Sequence, residues 1–292
     1  MPVFEARGVW KRYGATVALS EVTVDYDAGL NLIMGPNGSG KSTLLRILVG
    51  LTKPSKGIVR SFGVDPWRHR TGILKRTGLA VEGQYLPPLA PGREYLRLFA
   101  KNRGLGWSEL ERIAGELGVT GYWDKPIASY SMGMRKRILL AQAFLGARDA
   151  LVLDEPYTLL DPRTVGVVSK LIEEHARDIP VLMATHIMPD PGLEPSTLTI
   201  LAGGRVLVHE SRLRLGEAGI YKCTFRHKGE LIEFLASNNV EKARIEGTTV
   251  IARISGEPGK RGECKSFLDP LIAYEEALSA GGTREPPYGS RR

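Results

Sequence analysis

The stretch Gly35-Pro36-Asn37-Gly38-Ser39-Gly40-Lys41-Ser42-Thr43 limits what this chain can fold into more than any other. Before it runs Leu30-Asn31-Leu32-Ile33-Met34, which reads as a buried strand. After it, Leu44 to Val49 reads as a helix. A glycine-rich turn between strand and helix is the context a phosphate-binding loop needs. Glycines let the backbone curl with its N–H groups inward, and the helix N-terminus adds partial positive charge. In such a loop Lys41 can reach the β- and γ-phosphates of a nucleotide, and the Ser42 hydroxyl can ligate Mg²⁺.

A second stretch bears on the same chemistry. Ala150-Leu151-Val152-Leu153-Asp154-Glu155-Pro156 reads as a buried parallel strand that delivers two carboxylates at its C-terminal end. That edge is where open α/β sheets bind ligands. Val181 to Ala184 is another buried strand, ending at Thr185-His186. Asp161-Pro162 starts a helix, with Asp as cap and Pro at the first helical position, and Val165, Val168 and Ile172 continue it.

The remaining segments fill in an α/β pattern. Val3 to Arg12 reads as a strand broken by Tyr13-Gly14, and Val22, Val24 and Tyr26 alternate as in a half-buried strand. Ile58 to Arg60 is a further strand, and Thr77 to Glu82 returns to the core. Gly83 to Gly92, with Pro87, Pro88 and Pro91, reads as an irregular loop. Glu94 to Lys101 is helical. Ser108 with Glu111 fits a capping box, with Leu110, Ile113 and Leu117 on one face behind it. Tyr130 to Met134 opens the next helix. Leu198 to Ile200 and Val206 to Val208 around Gly203-Gly204 read as a hairpin. From about Leu213 the pattern changes to a small α/β appendage. It has strands at Tyr221–Phe225 and Thr248–Ile254, and a helix carrying Leu231, Ile232, Phe234 and Leu235. The tail from Gly281 reads as disordered.

Composition sets outer limits. With 292 residues, 42% hydrophobic and 25% charged, the chain can build one large domain or two smaller ones. The net charge of +8 is scattered, with only short clusters such as Arg135-Lys136-Arg137, so it reads as a solvated surface rather than a nucleic-acid site. Cys223 and Cys264 lack metal-ligand spacing and suggest neither a disulfide framework nor a zinc site, so reduced thiols are expected. No run of about eighteen apolar residues is present, and Met1 to Glu5 is not a signal peptide. If the protein acts at a membrane, another chain must supply the membrane part.

From about Val3 to Val208, the order of these pieces resembles the ATP-binding subunit of an ABC transporter. It is most similar to the subfamily that drives exporters of drugs, polysaccharides and related substrates, whose signature begins Tyr-Ser and continues with Gly-Met and basic residues, as Tyr130 to Arg137 does. The resemblance implies an α/β P-loop NTPase (RecA-like) core with a helical subdomain at about 84–140 and an antiparallel β subdomain, together forming an ATP-binding domain over 1–212. The accessory domain would span 213–280 and the tail 281–292. It implies that Tyr13 stacks on adenine and that Gly35, Pro36, Asn37, Gly38, Ser39, Gly40, Lys41, Ser42 and Thr43 hold the phosphates. Asp154 would hold Mg²⁺ through water, with Ser42 and Glu82 as further metal contacts. Glu155 would act as general base, and His186 would contact the γ-phosphate. Ser131 and Gly133 would bind the γ-phosphate held by a second nucleotide-binding subunit, the same chain or another, packed head to tail, with Asp161 at that interface.

Three positions depart from the family pattern: Glu82 stands where Gln is usual, and Met132 and Leu159 stand where Gly is common. The expected function is an ATP hydrolase, cytoplasmic and peripheral on the inner face of the membrane through integral permease subunits, with no nucleic-acid partner. The permease would dock on the 83–92 loop and the helix from Glu94. Two rivals stand beside it. One is a soluble ABC-type ATPase acting on ribosomes or DNA, whose paired cassettes or long coiled coils this sequence lacks. The other is a low-turnover regulatory module, drawing on Glu82, Met132 and Leu159.

Overall fold

The computed structural model of the chain describes residues 2–186, 193, 195–211, 220–225, 230–232, 234, 240–246, 249–254 and 263–266. It opens with β1 (Phe4–Tyr13) antiparallel to β2 (Thr16–Tyr26). β3 (Gly29–Met34) leads through the glycine loop into α1 (Lys41–Leu48). β4 (Lys56–Ser61) pairs with the free side of β1, completing a three-stranded antiparallel sheet. α2 (Arg70–Arg76) runs straight into β5 (Thr77–Ala80). α3 (Gly92–Arg103), α4 (Trp107–Glu116) and α5 (Met132–Gly146) follow. The chain then alternates β6 (Ala150–Asp154), α6 (Pro162–Ala176) and β7 (Pro180–Thr185), and reaches the hairpin β8 (Thr197–Ala202) and β9 (Arg205–Ser211).

The central sheet has six strands in the order β5-β6-β7-β3-β8-β9, parallel except for β9. Its middle strands are covered on both faces, which is why they read as unbroken apolar runs. Alternate residues go to different cores, as the two-residue period requires. Leu30, Leu32, Met34, Leu151, Leu153, Val181 and Met183 face a core shared with residues of α3 to α6, including Leu96, Leu110, Ile138 and Leu171. Ile33, Val152, Leu182 and Ala184 face a second core with Leu44, Leu45 and Leu48 of α1 and with Phe4, Val9 and Val22 of the antiparallel sheet. Because β3, β6 and β7 run the same way, their C-terminal ends share one edge. The glycine loop, Asp154-Glu155 and His186 therefore arrive together.

Several expectations change on contact with the structure. α4 begins at Trp107 with Gly106 as cap and no side-chain cap bond, so the Ser108–Glu111 capping box does not form. Ser108 already lies inside the first turn, where its hydroxyl cannot reach forward as a cap. The helix α2 is an addition, and so are two strands near the C-terminus. There β10 (Ile220–Thr224), β11 (Val240–Glu246), β12 (Thr249–Ile254) and β13 (Glu263–Ser266) form an antiparallel sheet in the order β11-β12-β10-β13. Residues 230–232 and 234 are helical, with Leu231 and Phe234 buried and the Phe234 ring 5.0 Å from that of Phe225. Leu235, Thr248 and the tail from Gly281 lie outside the described residues.

The thiol expectation is corrected. Cys223 is disulfide-bonded. Cys264, the chain's one other cysteine, stands opposite it in the β10–β13 register. Only strand pairing brings these two together, so their spacing in the sequence carried no sign of it. No helix among the described residues is long and apolar enough to cross a membrane.

Candidate functional site

A cleft of about 1070 Å³ opens along that shared edge. Small-molecule pockets commonly run to ~300–1,000 Å³, so a nucleotide-sized ligand fits. Its lining includes Tyr13, residues 37 to 43 of the glycine loop, Glu82, Glu155 and Gly203. The sequence placed these residues far apart, and the fold gathers them into one cavity.

The loop is braced from behind. Gly204 donates its N–H to the Ser39 carbonyl at 3.2 Å, and Ser20 donates to the Gly204 carbonyl at 2.8 Å. Gly40 has φ 103°, and a Cβ there would sit 2.6 Å from the Ala18 carbonyl oxygen, so no other residue fits. Lys41 is 5% exposed, and its Nζ donates to the carbonyls of Gly35 (2.8 Å) and Pro36 (3.2 Å). It also lies 3.5 Å from Glu155 Oε1.

The two acids at the end of β6 take different surroundings. Asp154 is buried, accepts a bond from Ser42 Oγ at 3.0 Å through Oδ1, and its Oδ2 has no hydrogen-bond partner. Burial pushes its carboxyl pKa up, and the Ser42 bond opposes the rise. A buried carboxylate oxygen left open beside a serine hydroxyl is a hard oxygen donor set that suits Mg²⁺. Glu155 adopts φ 48°, a left-handed conformation rare for a side chain of this size. Its N–H donates to the Ala184 carbonyl at 2.8 Å. Its Oε2 lies 2.9 Å from His186 Nδ1 and accepts the His186 backbone N–H at 3.3 Å. Strain of this kind gathers at functional sites and persists only where the surroundings over-determine it.

Tyr13 is 47% exposed at the mouth of the cleft, with Lys11 Nζ 4.7 Å from its ring centroid. Glu82 lines the cleft, and its carbonyl accepts from Arg46 Nη2 at 2.7 Å, which ties this loop to α1. Gln84 is engaged locally, its Oε1 accepting the Val81 N–H at 3.1 Å.

Ser131, Gly133 and Asp161 do not line this cleft. Ser131 caps α5 by accepting the Met134 N–H at 3.2 Å, which leaves its own O–H free to donate outward. Gly133 packs so closely that a Cβ would lie 2.9 Å from the Leu159 carbonyl oxygen. Met132 and Leu159 are both exposed, and Leu159 has φ 68°. Asp161 caps α6, accepting from Thr164 N at 3.0 Å and Thr164 Oγ1 at 2.7 Å, and pairs with Arg137. Those Thr164 bonds hold its carboxyl pKa down to about 2.

Sequence reasoning passed over three cations here. Arg46, Lys136 and Arg137 looked like surface charge. Yet Arg46 fixes the Glu82 loop, Lys136 Nζ donates to the Asp154 carbonyl at 3.0 Å, and Arg137 holds Asp161. The available signal was their position on α1 and α5, one helical turn or two from the motif residues.

Comparison with known proteins bears on the family and the fold. The ABC transporter family profile matches residues 19–158. The daunorubicin resistance ATP-binding protein DrrA2 of Streptomyces coeruleorubidus is 30% identical over 98% of this chain and 90% of its own length. The daunorubicin/doxorubicin resistance ATP-binding protein DrrA of Streptomyces peucetius is 32% identical over 70% of this chain. The uncharacterized ABC transporter ATP-binding protein YdbJ of Bacillus subtilis (strain 168) is 33% identical over 64% of it. The chain spans 63% of the length of DrrA and 62% of that of YdbJ. A solved ATP-binding subunit of an ABC transporter superposes with a TM-score of 0.66 at 25% identity, covering 74% of this chain and 92% of that one.

Proposed function

Since the chain belongs to the ATP-binding proteins of ABC transporters, we propose that it binds and hydrolyses ATP to power a separate transmembrane permease of the exporter type. One observation carries this reading: a single cleft is lined by the glycine loop, Glu155 and an aromatic ring at its mouth, with Asp154 bonded to Ser42 of that loop and His186 bonded to Glu155. A relative named as a Nod factor export ATP-binding protein supports export as the direction.

Roles follow from the contacts. Tyr13 offers adenine the ring face not taken by Lys11. The N–H groups of Gly35 and of residues 37 to 43 receive the phosphates, and Lys41 turns from the Gly35 and Pro36 carbonyls to the β- and γ-phosphates. Ser42 and Asp154 hold Mg²⁺, with Glu82 at the edge of the set. When bound, the ion neutralises phosphate charge. Glu155 orients the attacking water and takes its proton, and His186 holds Glu155 in place and faces the γ-phosphate. Ser131 and Gly133 lie outside this chain's own cleft. They therefore serve the nucleotide of a second subunit, identical or different, packed head to tail, with Asp161 at the junction.

In this reading residues 1–212 form the ATP-binding unit, with helices from about 84 to 140, and 213–280 form an accessory unit. The chain sits on the inner face of the membrane through its permease. The test is phosphate release by the purified chain with Mg²⁺ and ATP, joined to its sedimentation with a nucleotide it cannot hydrolyse. Mg²⁺-dependent turnover and nucleotide-driven pairing are expected. A chain that neither binds ATP nor pairs, alone or with a companion subunit, refutes the proposal.

A further inference from the structure

The peptide between Asp154 and Glu155 is gripped at both of its polar ends. Its N–H donates to the Ala184 carbonyl at 2.8 Å, and its carbonyl oxygen accepts from Lys136 Nζ at 3.0 Å. The orientation of this peptide decides where the Glu155 side chain points, because φ of Glu155 is the torsion about the N–Cα bond that joins that peptide plane to the Cα carrying the side chain. At φ 48° the angle is unusual, so it needs holding from outside the strand. β7 supplies one grip and α5 the other. The next residue of α5, Arg137, pairs with Asp161, so two consecutive side chains of one helix hold both ends of the 154–161 segment.

Charge points the same way. Lys136 is half-buried, and Asp154, Glu155 and Glu82 are the carboxylates whose fields act on it. Burial pulls its pKa down and these carboxylates oppose the fall. Glu82 adds a negative charge to a cleft built for phosphates, and Lys136 is a cation within the field of that carboxylate that can offset it.

We propose that Lys136 is a positioning residue for hydrolysis: it aims Glu155 by fixing the Asp154 carbonyl, and its charge lets the site carry Glu82 as a third carboxylate. This rests on reading the cleft as an ATP site.

The experiment measures two quantities in the full chain: affinity for ATP in EDTA, by fluorescent-analogue displacement, and kcat with Mg²⁺. Lys136→Met keeps the stem and removes donor and charge. Loss of the charge should weaken metal-free ATP binding about tenfold. Loss of the grip should lower kcat ~10–100-fold. Adding Glu82→Gln to Lys136→Met should restore ATP affinity but not kcat, a split that a merely structural lysine would not give. Lys136→Arg should keep both quantities within about threefold. If Lys136→Met does not fold, Lys136→Gln substitutes: it loses the same affinity and regains it with Glu82→Gln. Native values of both quantities in the neutral variant overturn the inference alone. A native chain that does not bind ATP overturns the reading of the cleft, and this inference with it.

Discussion

Glu155→Gln separates binding from chemistry. The substitution keeps the side-chain shape, and Gln at φ 48° carries the same backbone strain as Glu, so the fold should be unchanged. Two effects then act in opposite directions. The carboxylate lies 3.5 Å from Lys41 Nζ. At an effective dielectric of about 20, that pair is worth ~5 kcal/mol of gross attraction. Desolvation of the two groups returns most of it, leaving a net of ~1–2 kcal/mol. Neutralising Glu155 frees Lys41 to meet the phosphates and removes a like charge beside them. ATP affinity should therefore stay the same or rise about tenfold. Hydrolysis, in contrast, loses its base, which is worth ~10²–10⁴ in rate, or roughly 3–5 kcal/mol of barrier. Phosphate release under single-turnover conditions gives the rate, and titration with a fluorescent ATP analogue gives the affinity. Turnover within about threefold of the native rate would remove Glu155 from the chemistry. Lost affinity would show that the site needs Glu155 to bind rather than to react, and would refute the charge argument.

Other perturbations test separate parts of the structure. Tyr13→Ala should weaken ATP binding by ~1–3 kcal/mol while Tyr13→Trp preserves it, measured by calorimetry; equal affinity in all three chains would remove Tyr13 from the base platform. Gly78→Ala would place a Cβ 2.0 Å from the Ala143 carbonyl oxygen, where β5 packs on α5. Overpacking of that kind should cost ~1–3 kcal/mol in urea unfolding, and an unchanged midpoint would contradict the close approach. Cys223→Ser opens a loop of about forty residues, which costs the C-terminal sheet ~4 kcal/mol in the chain-entropy account. Melting of that sheet should fall in the variant and on reduction of the native chain, while ATP affinity stays constant; a reductant-insensitive melt would show the bond carries no stability.

Much of this was legible before any coordinate was known, for a physical reason. The strands β3, β6 and β7 are buried on both faces, so each appears as a short apolar run, and each ends in the polar residues that its parallel neighbours bring to one edge. The glycine loop, Asp154, Glu155 and His186 stood out in the sequence because each follows or ends a buried strand, and the structure sets Glu155 2.9 Å from His186. What escaped notice depended on partners remote in sequence. α2 buries only Ile73, so its seven residues carry no helical stripe. β11 and β13 need β12 and β10 to be recognised as strands, and the cysteine pair needs the β10–β13 register. Lys136 was hidden for another reason: a lysine between two arginines looks like solvent-facing charge until its ammonium is seen on the Asp154 carbonyl.

The order β5-β6-β7-β3-β8-β9 has a consequence for how the chain is made. β3 sits between β7 and β8, and Gly29 pairs with Pro180, about 150 positions later. A ribosome adding ~5–20 residues per second needs roughly 8–30 s to cover that distance. Through that interval Leu30 to Met34 wait on the nascent polypeptide without either neighbour, greasy on both sides and open to wrong pairing. Early synthesis thus leaves the strand beneath the glycine loop exposed, and shielding it until β7 and β8 emerge is the task a chaperone would perform.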